Sequence, residues 1–264
     1  MSKVQTSVGK MGVTEDGGGP ATPILFLHGV GSDKSVWHPQ LAHFAGSRRA
    51  VAIDYPGYGE SAPRDCATRD DFARSALAVL DALEIECAHV CGLSLGGVVA
   101  IAMHAFAPRR CASLVLADSF AVHPEGQAIY DRSTTASRTM SMRELAEARA
   151  ASLLGGGAGD EIRIEVIETM SRIDPAAYRQ GAEAVWLADQ QHRAASIAAP
   201  TLVLVGDEDK ITPPALSQAL AKLVRGASLE VIAGAGHLAN LEKPADFNRA
   251  LDAFLAEVDE NHEG

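Results

Sequence analysis

Paired and clustered cysteines are missing from this chain. Its four cysteines, Cys66, Cys87, Cys91 and Cys111, form no C-x-x-C pair and no zinc spacing, so neither a disulfide framework nor a thiolate metal site is expected. Cys91 and Cys111 fall in apolar runs and read as buried thiols. Positive charge is also scarce: 23 Lys and Arg stand against 34 Asp and Glu, for a net charge of −11. That balance argues against nucleic acid and anionic membrane surfaces as partners. Residues 1–19 contain no apolar core of a signal peptide, and no run is long enough to cross a bilayer. A reducing cytoplasm is therefore the expected location. No H-E-x-x-H or similar ligand spacing occurs, and the glycines between 92 and 97 do not follow G-x-G-x-x-G. No metal and no cofactor are expected.

What is present is a soluble, core-forming composition: 264 residues, 47% hydrophobic and 22% charged. Two short edge strands are expected within 3–14, broken by Gly17-Gly18-Gly19-Pro20. Buried strands are expected at Ile24–Leu27, Ala50–Ile53, His89–Cys91, Ser113–Ala117, Thr201–Val205 and Ser228–Ile232, each a short apolar run bounded by turn residues. Helices are expected at 35–44, 69–84, 98–105, 213–224 and 244–257, with the charged tail 259–264 fraying. Between them, residues 120–196 hold no strand-like run. Their patterns fit helices near 141–154, 160–171 and 175–190, split by Gly155-Gly156-Gly157 and Asp174-Pro175. Strand alternating with helix implies an α/β fold with a parallel sheet covered on both faces. The helical stretch implies a cap, so the expected division is a core of 1–119 and 197–264 with a cap of 120–196.

Reactive residues recur where strands end, the place where open α/β sheets put working groups. His28-Gly29-Val30 follows the first buried strand. Gly92-x-Ser94-x-Gly96 sits between a strand and a helix, the context in which a serine is lifted onto a sharp turn as a nucleophile. Asp209 follows the fifth run, in Gly206-Asp207-Glu208-Asp209, and His237 follows the last. In that order Ser94 is the candidate nucleophile, His237 its base and later acid, and Asp209 the group that orients the imidazole. Asp118 and Asp207 compete with Asp209 for the last role. His28 reads as a support for its loop, and the remaining histidines as surface or core residues.

These motifs, with Asp54-x-Pro56-Gly57-x-Gly59-x-Ser61, Pro200-Thr201, Gly206-x-x-Asp209-x-x-x-Pro213 and Gly236-His237, make the chain resemble the α/β-hydrolase family over nearly its whole length. The resemblance implies an α/β-hydrolase fold and a backbone oxyanion hole at Val30 and Leu95. Ser94, in place of aspartate, separates the chain from haloalkane dehalogenases and epoxide hydrolases. Cys91-Gly92-Leu93-Ser94-Leu95-Gly96-Gly97 and the helical insertion look most like 3-oxoadipate enol-lactonases and related bacterial esterases. The expected activity is hydrolysis of a small ester or lactone by a monomer or homodimer. A C–C bond hydrolase, an amidase, a perhydrolase and a low-turnover ligand-binding homologue remain as alternatives. Trp37, Phe120 and Trp186 are the expected substrate contacts, with Tyr130 and Tyr178 as further aromatic candidates. Eight arginines lie in the insertion, at 132, 138, 143, 149, 163, 172, 179 and 193. One of them facing the pocket suits a substrate carboxylate.

Overall fold

The computed structural model describes residues 2–262, with side chains over 3–260. A seven-stranded sheet forms its centre. Strand β1 (Ser2–Thr6) pairs antiparallel with the start of β2 (Gly9–Leu27). The break expected at 17–20 does not end the strand: β2 continues through the glycines, where its pairing with β3 is interrupted and the chain folds back. Val13 faces Ile53 and Asp16 faces Ala50 of β3 (Arg48–Ile53), whereas Ile24 faces Ala50 and Leu27 faces Ile53. Both halves of β2 thus clasp β3. The glycines allow it sterically, since Gly17 has φ +79° and a Cβ at Gly19 would lie 2.1 Å from the Ser47 carbonyl oxygen.

Between β2 and β3, helix α1 (His38–Phe44) follows a 3₁₀ turn at Lys34–Trp37, so the helix expected over 35–44 is split in two. After β3 come α2 (Arg69–Ala82), β4 (Ala88–Leu93), α3 (Leu95–Phe106) and β5 (Cys111–Ala117). Thr68 and Asp71 cap α2 reciprocally, which sets where it starts. Beyond the insertion lie β6 (Thr201–Gly206) and β7 (Ser228–Ile232), which complete the parallel run β2-β4-β5-β6-β7.

Alternation along the strands divides the core in two. Leu25, Leu27, Val90 and Leu114 face the side covered by α2 and α3. Ile24, Phe26, Cys91 and Val115 face the other side, packed on Phe44, Phe247 and Leu251. Each face removes its apolar residues from water, the main favourable contribution to folding.

The insertion holds α4 (Gly126–Thr139), α5 (Met142–Leu153), α6 (Asp160–Ser171), α7 (Pro175–Trp186) and α8 (Gln191–Ala195). Helices α5, α6 and α7 match the expectation, although α7 stops at Trp186. Helix α4 was not foreseen. Its Ser- and Thr-rich sequence has modest helix propensity, and its buried face is Ser133, Thr134 and Ser137. Those hydroxyls settle within the helix: Thr134 Oγ1 donates to the Tyr130 carbonyl at 2.9 Å and Ser137 Oγ to Thr134 at 3.0 Å.

The chain closes with α9 (Pro214–Leu223) after β6, then α10 (Ala239–Glu242) and α11 (Pro244–His262). Helix α11 runs past the expected end, and Asp259 does not fray. It accepts from Arg48 at 3.0 Å and lies 3.0 Å from His89 Nε2. Residues 263–264 of that expected tail lie outside the described residues. Among the described residues, no helix is long and apolar enough to cross a membrane.

Candidate active site

The sharp turn between β4 and α3 is built on missing side chains. A Cβ at Gly92 would lie 2.2 Å from the Gly96 carbonyl carbon, one at Gly96 would lie 2.0 Å from the Leu27 carbonyl oxygen, and one at Gly97 would lie 2.4 Å from Ser119 Oγ. Three backbone segments therefore meet at the turn, and Ser94 is forced to φ 56°, ψ −113°. A non-glycine residue there is strained, a state that persists only where the surroundings over-determine it. The Ser94 N–H donates to the Ala117 carbonyl at 2.8 Å and Ser119 Oγ donates to the Ser94 carbonyl at 2.8 Å. Backbone bonds thus pin the residue, while its buried hydroxyl has no hydrogen-bond partner among the described residues.

His237 stands on the loop after β7. Its Nδ1 lies 2.8 Å from Asp209 Oδ2. An ionised carboxylate only accepts, so Nδ1 carries the proton and Nε2 is left as an acceptor. Asp209 is well supplied: Oδ1 accepts from the Ile211 N–H at 2.7 Å and the Thr212 N–H at 2.9 Å, and Thr212 Oγ1 lies 2.6 Å from Oδ2. Burial opposes its charge, but His237 and these donors outweigh it and hold the carboxyl below its usual range.

Neither rival carboxylate reaches the imidazole. Asp207 is exposed and accepts the Gly234 N–H at 2.6 Å. Asp118 is buried at the end of β5, with Oδ1 accepting the Gly206 N–H at 2.9 Å and Oδ2 unpartnered among the described residues. Burial, then the nearby Asp209, push its carboxyl well above the usual carboxylate range.

Across from this pair runs the loop after β2. His28 is fully buried between Tyr55 and Tyr58, with ring centroids at 4.4 and 5.0 Å. Its Nδ1 donates to the Gly29 carbonyl at 2.8 Å and its Nε2 accepts the Tyr55 N–H at 3.3 Å. Burial depresses its pKa, so it stays neutral and serves the loop, as expected from the sequence. A Cβ at Gly29 would lie only 3.5 Å from Ser94 Cβ. Among the described residues, no protein acceptor takes the N–H of Val30 or of Leu95, the first residue of α3.

Sequence reasoning missed what braces this loop. Asp54 accepts from the Lys34 backbone at 2.8 Å, Lys34 Nζ at 2.6 Å and the Glu60 N–H at 2.9 Å. The signal was available in Asp54-x-Pro56-Gly57-x-Gly59-x-Ser61, whose Ser61 Oγ donates to the Asp54 carbonyl at 2.7 Å. A Cβ at Gly59 would meet the Asp54 carboxylate at 2.3 Å.

Ser94, His237 and Val30 line one chamber, closed on its far side by Arg149, Val166 and Trp186 of the insertion. Two expected contacts are not there. Trp37 is fully buried on the opposite side of the wall, stacked on Phe26 at 4.8 Å and packed against Phe247 at 6.1 Å; its neighbour Val36 lines the chamber instead. Phe120 lies behind Trp186, stacked at 5.9 Å, and supports it without reaching the space. Tyr178 is buried and accepts from Arg149 Nη1 at 2.8 Å. Tyr130 lines a separate surface cavity. Of the eight arginines in the insertion, Arg149 alone lines the chamber. Among the described residues no group of three His, Cys, Asp or Glu is arranged to hold a metal ion.

The insertion is bolted to the histidine loop. The His237 N–H donates to the Leu153 carbonyl at 2.8 Å. Glu242 accepts from Gly155 at 2.7 Å, Gly236 at 3.0 Å and Leu238 at 3.3 Å, joining both sides. Removing that carboxylate strands three amides and frees the loop. Glu242→Ala is expected to lower kcat by about 10-fold to 100-fold through misplacement of His237 and stability by about 2 kcal/mol. Steady-state kinetics and urea unfolding measure the two effects. An unchanged kcat means the bolt does not position His237.

Known proteins resemble this chain over most of its length. The family model described as "Alpha/beta hydrolase family" matches residues 24–250. The chain is 28% identical over 240 residues to 3-oxoadipate enol-lactonase 1 of Acinetobacter baylyi, covering 90% of each protein. It is 32% identical to the 2-hydroxymuconate semialdehyde hydrolase of a Pseudomonas species, covering 91% of this chain and 89% of that protein. The enol-lactonase structure from Burkholderia xenovorans superposes with a TM-score of 0.89 at 26% identity, covering 97% of this chain and all of the other. With the sheet, the elbow and a family match spanning most of its length, the chain belongs to the α/β-hydrolase family of enzymes.

Proposed function

We propose that this chain hydrolyses a small carboxylic ester or lactone through an acyl-enzyme on Ser94. One observation carries the reading. His237, bonded through Nδ1 to the Asp209 carboxylate, opens onto the same chamber as a buried serine hydroxyl that has no hydrogen-bond partner among the described residues. In this reading His237 Nε2 takes the Ser94 proton as Oγ attacks the substrate carbonyl carbon. The carbonyl oxygen becomes an oxyanion, received by the Val30 and Leu95 N–H groups. The intermediate collapses, the bond to the leaving oxygen breaks, and that oxygen takes the proton from His237. Water then gives a proton to His237 and attacks the acyl carbon, and Ser94 recovers the proton as the acid departs. One water is consumed per bond cleaved. Asp209 holds the tautomer and stabilises the imidazolium.

The insertion 120–196 acts as a cap on the core of 1–119 and 197–264, with Trp186 as a substrate wall. Four free cysteines, two of them buried, suit the cytoplasm. The same machinery suits C–C bond hydrolysis, a reading favoured only by the 32% identity to the semialdehyde hydrolase.

A fluorophosphonate tests the proposal directly. The expected result is a single adduct, located on Ser94 by peptide mass spectrometry, with simultaneous loss of p-nitrophenyl acetate turnover. Labelling elsewhere, or none, rejects an activated Ser94. A panel of esters, lactones and vinylogous 1,5-diketo acids then separates ester from C–C cleavage.

A further inference from the structure

The chamber above Ser94 has ≈ 30 Å³ of free volume. That is room for only about two or three waters, so a substrate longer than its reacting group extends beyond it. A second cavity of ≈ 430 Å³ adjoins it, and Arg149 and Trp186 line both. This volume falls in the usual range for a small-molecule site, roughly 300–1,000 Å³.

The second cavity lies between the insertion and the core. Ile129, Leu145, Ile211 and Trp186 give it apolar walls. Its charged groups are Arg132 from α4, Arg149 from α5, Lys210 beside Asp209, and the single carboxylate of Glu125. Burial depresses the pKa of His123, which also lines it, so that imidazole adds no charge at neutral pH. The other arginines of the insertion include ion-paired ones: Arg143 with Glu168 at 2.7 Å and Arg193 with Asp70 at 2.7 Å. Among the described residues, no ion pair within 4.0 Å engages Arg132, Arg149 or Lys210. Arg149 Nη1 is spent on the Tyr178 hydroxyl, which fixes the guanidinium and leaves its other N–H donors available. A chain with a net charge of −11 therefore keeps an excess of positive charge without ion-pair partners in the cavity that shares Arg149 and Trp186 with the chamber of its candidate nucleophile.

We propose that this cavity binds a carboxylate that a flexible chain links to the scissile ester. The substrate class is an ω-carboxylated ester: its carbonyl enters the small chamber, its methylenes pass Trp186 and Ile211, and its carboxylate meets Arg132, Arg149 and Lys210. The inference rests on the hydrolase reading above and deepens it.

The test uses the wild-type protein with p-nitrophenyl hemiesters of dicarboxylic acids from succinate to sebacate, and the neutral p-nitrophenyl ester of matched length for each. A second arm uses ω-acetoxy carboxylic acids, which carry the anion on the alcohol side. At low salt, at least one chain length is expected to give a KM about tenfold or more below that of its neutral counterpart, as a charge-assisted hydrogen bond implies. The advantage shrinks in 0.5 M NaCl, because the cavity is open to solvent. Arg132→Gln/Lys210→Gln is expected to lower kcat/KM for that hemiester about tenfold more than for the neutral ester. Arg163→Gln, outside both cavities, leaves the ratio of the two unchanged. No anionic preference at any length in either arm, or an equal loss on both substrates in the double variant, overturns the proposal. Turnover of the neutral ester in that case leaves the hydrolase reading standing. Absence of turnover on every substrate, with no phosphonate adduct on Ser94, removes both.

Discussion

Ser94→Ala is expected to abolish ester turnover, lowering kcat by about 10⁶ while the protein stays folded. The magnitude follows from the chemistry: the chamber's other hydroxyls, Ser32 and Thr169, are hydrogen-bonded to Gly29 and Arg172 and make no hydrogen bond to His237, and His237 itself is tied to Asp209. Stability should change little and can rise. The Ser94 hydroxyl is buried without a partner among the described residues, so its removal relieves a desolvated polar group. Alanine keeps the Cβ, and with it the strain of φ 56°. The measurements are kcat on a p-nitrophenyl ester and a urea unfolding curve. Retention of activity within tenfold of wild type refutes Ser94 as the nucleophile.

Asp209→Asn is expected to lower kcat by about 10⁴, with Asp118→Asn losing less than about tenfold. The contrast comes from the donors around Asp209. Its Oδ1 faces the Ile211 and Thr212 N–H groups, so the amide nitrogen of asparagine is driven to the Oδ2 position, opposite His237 Nδ1. There it donates, Nδ1 must accept, and the ring proton moves to Nε2, the nitrogen that has to receive the Ser94 proton. Asp118 makes no hydrogen bond or ion pair with His237, and its unpartnered oxygen with an elevated pKa marks a neutral acid. Equal losses in the two variants, or a larger loss at 118, would move the orienting role to Asp118.

The same two carboxyls have opposite linkage to stability. The folded-state pKa of Asp209 is depressed, so its contribution is present above the unfolded pKa and disappears as pH falls through the folded value. The folded-state pKa of Asp118 is raised, so it costs stability as pH climbs above the unfolded pKa. Asn at 209 therefore removes acid sensitivity, and Asn at 118 removes a penalty at neutral pH. Unfolding free energies measured across pH 3–8 (roughly the span in which carboxyl groups titrate) separate the two signs.

The elbow, the strand ends and the helical insertion were readable from the sequence alone because each is a local demand. Gly92, Gly96 and Gly97 answer backbone collisions within one turn, and apolar runs such as Thr201–Val205 cannot remain in water. Ser94, Asp209 and His237 were legible because each follows such a run directly, and strand ends in a parallel sheet point to one edge. Other features required the packed molecule. Whether Asp209 or Asp118 meets the imidazole depends on where β5 and β6 end relative to the loop carrying His237. Trp37 and Val36 are adjacent in sequence, yet one stacks on Phe26 and the other faces the chamber. Helix α4 has little intrinsic preference to form and closes a wall with Gly126, where a Cβ would lie 2.0 Å from the Trp186 carbonyl oxygen. The eight arginines of the insertion are equivalent as letters. Only the packing of α5 against α6 and the histidine loop, with the Arg149–Tyr178 hydrogen bond, turns Arg149, and not its neighbours, into the chamber of Ser94. A short-range steric rule can be read along a chain, whereas the direction a helix face takes is set by whatever it packs against.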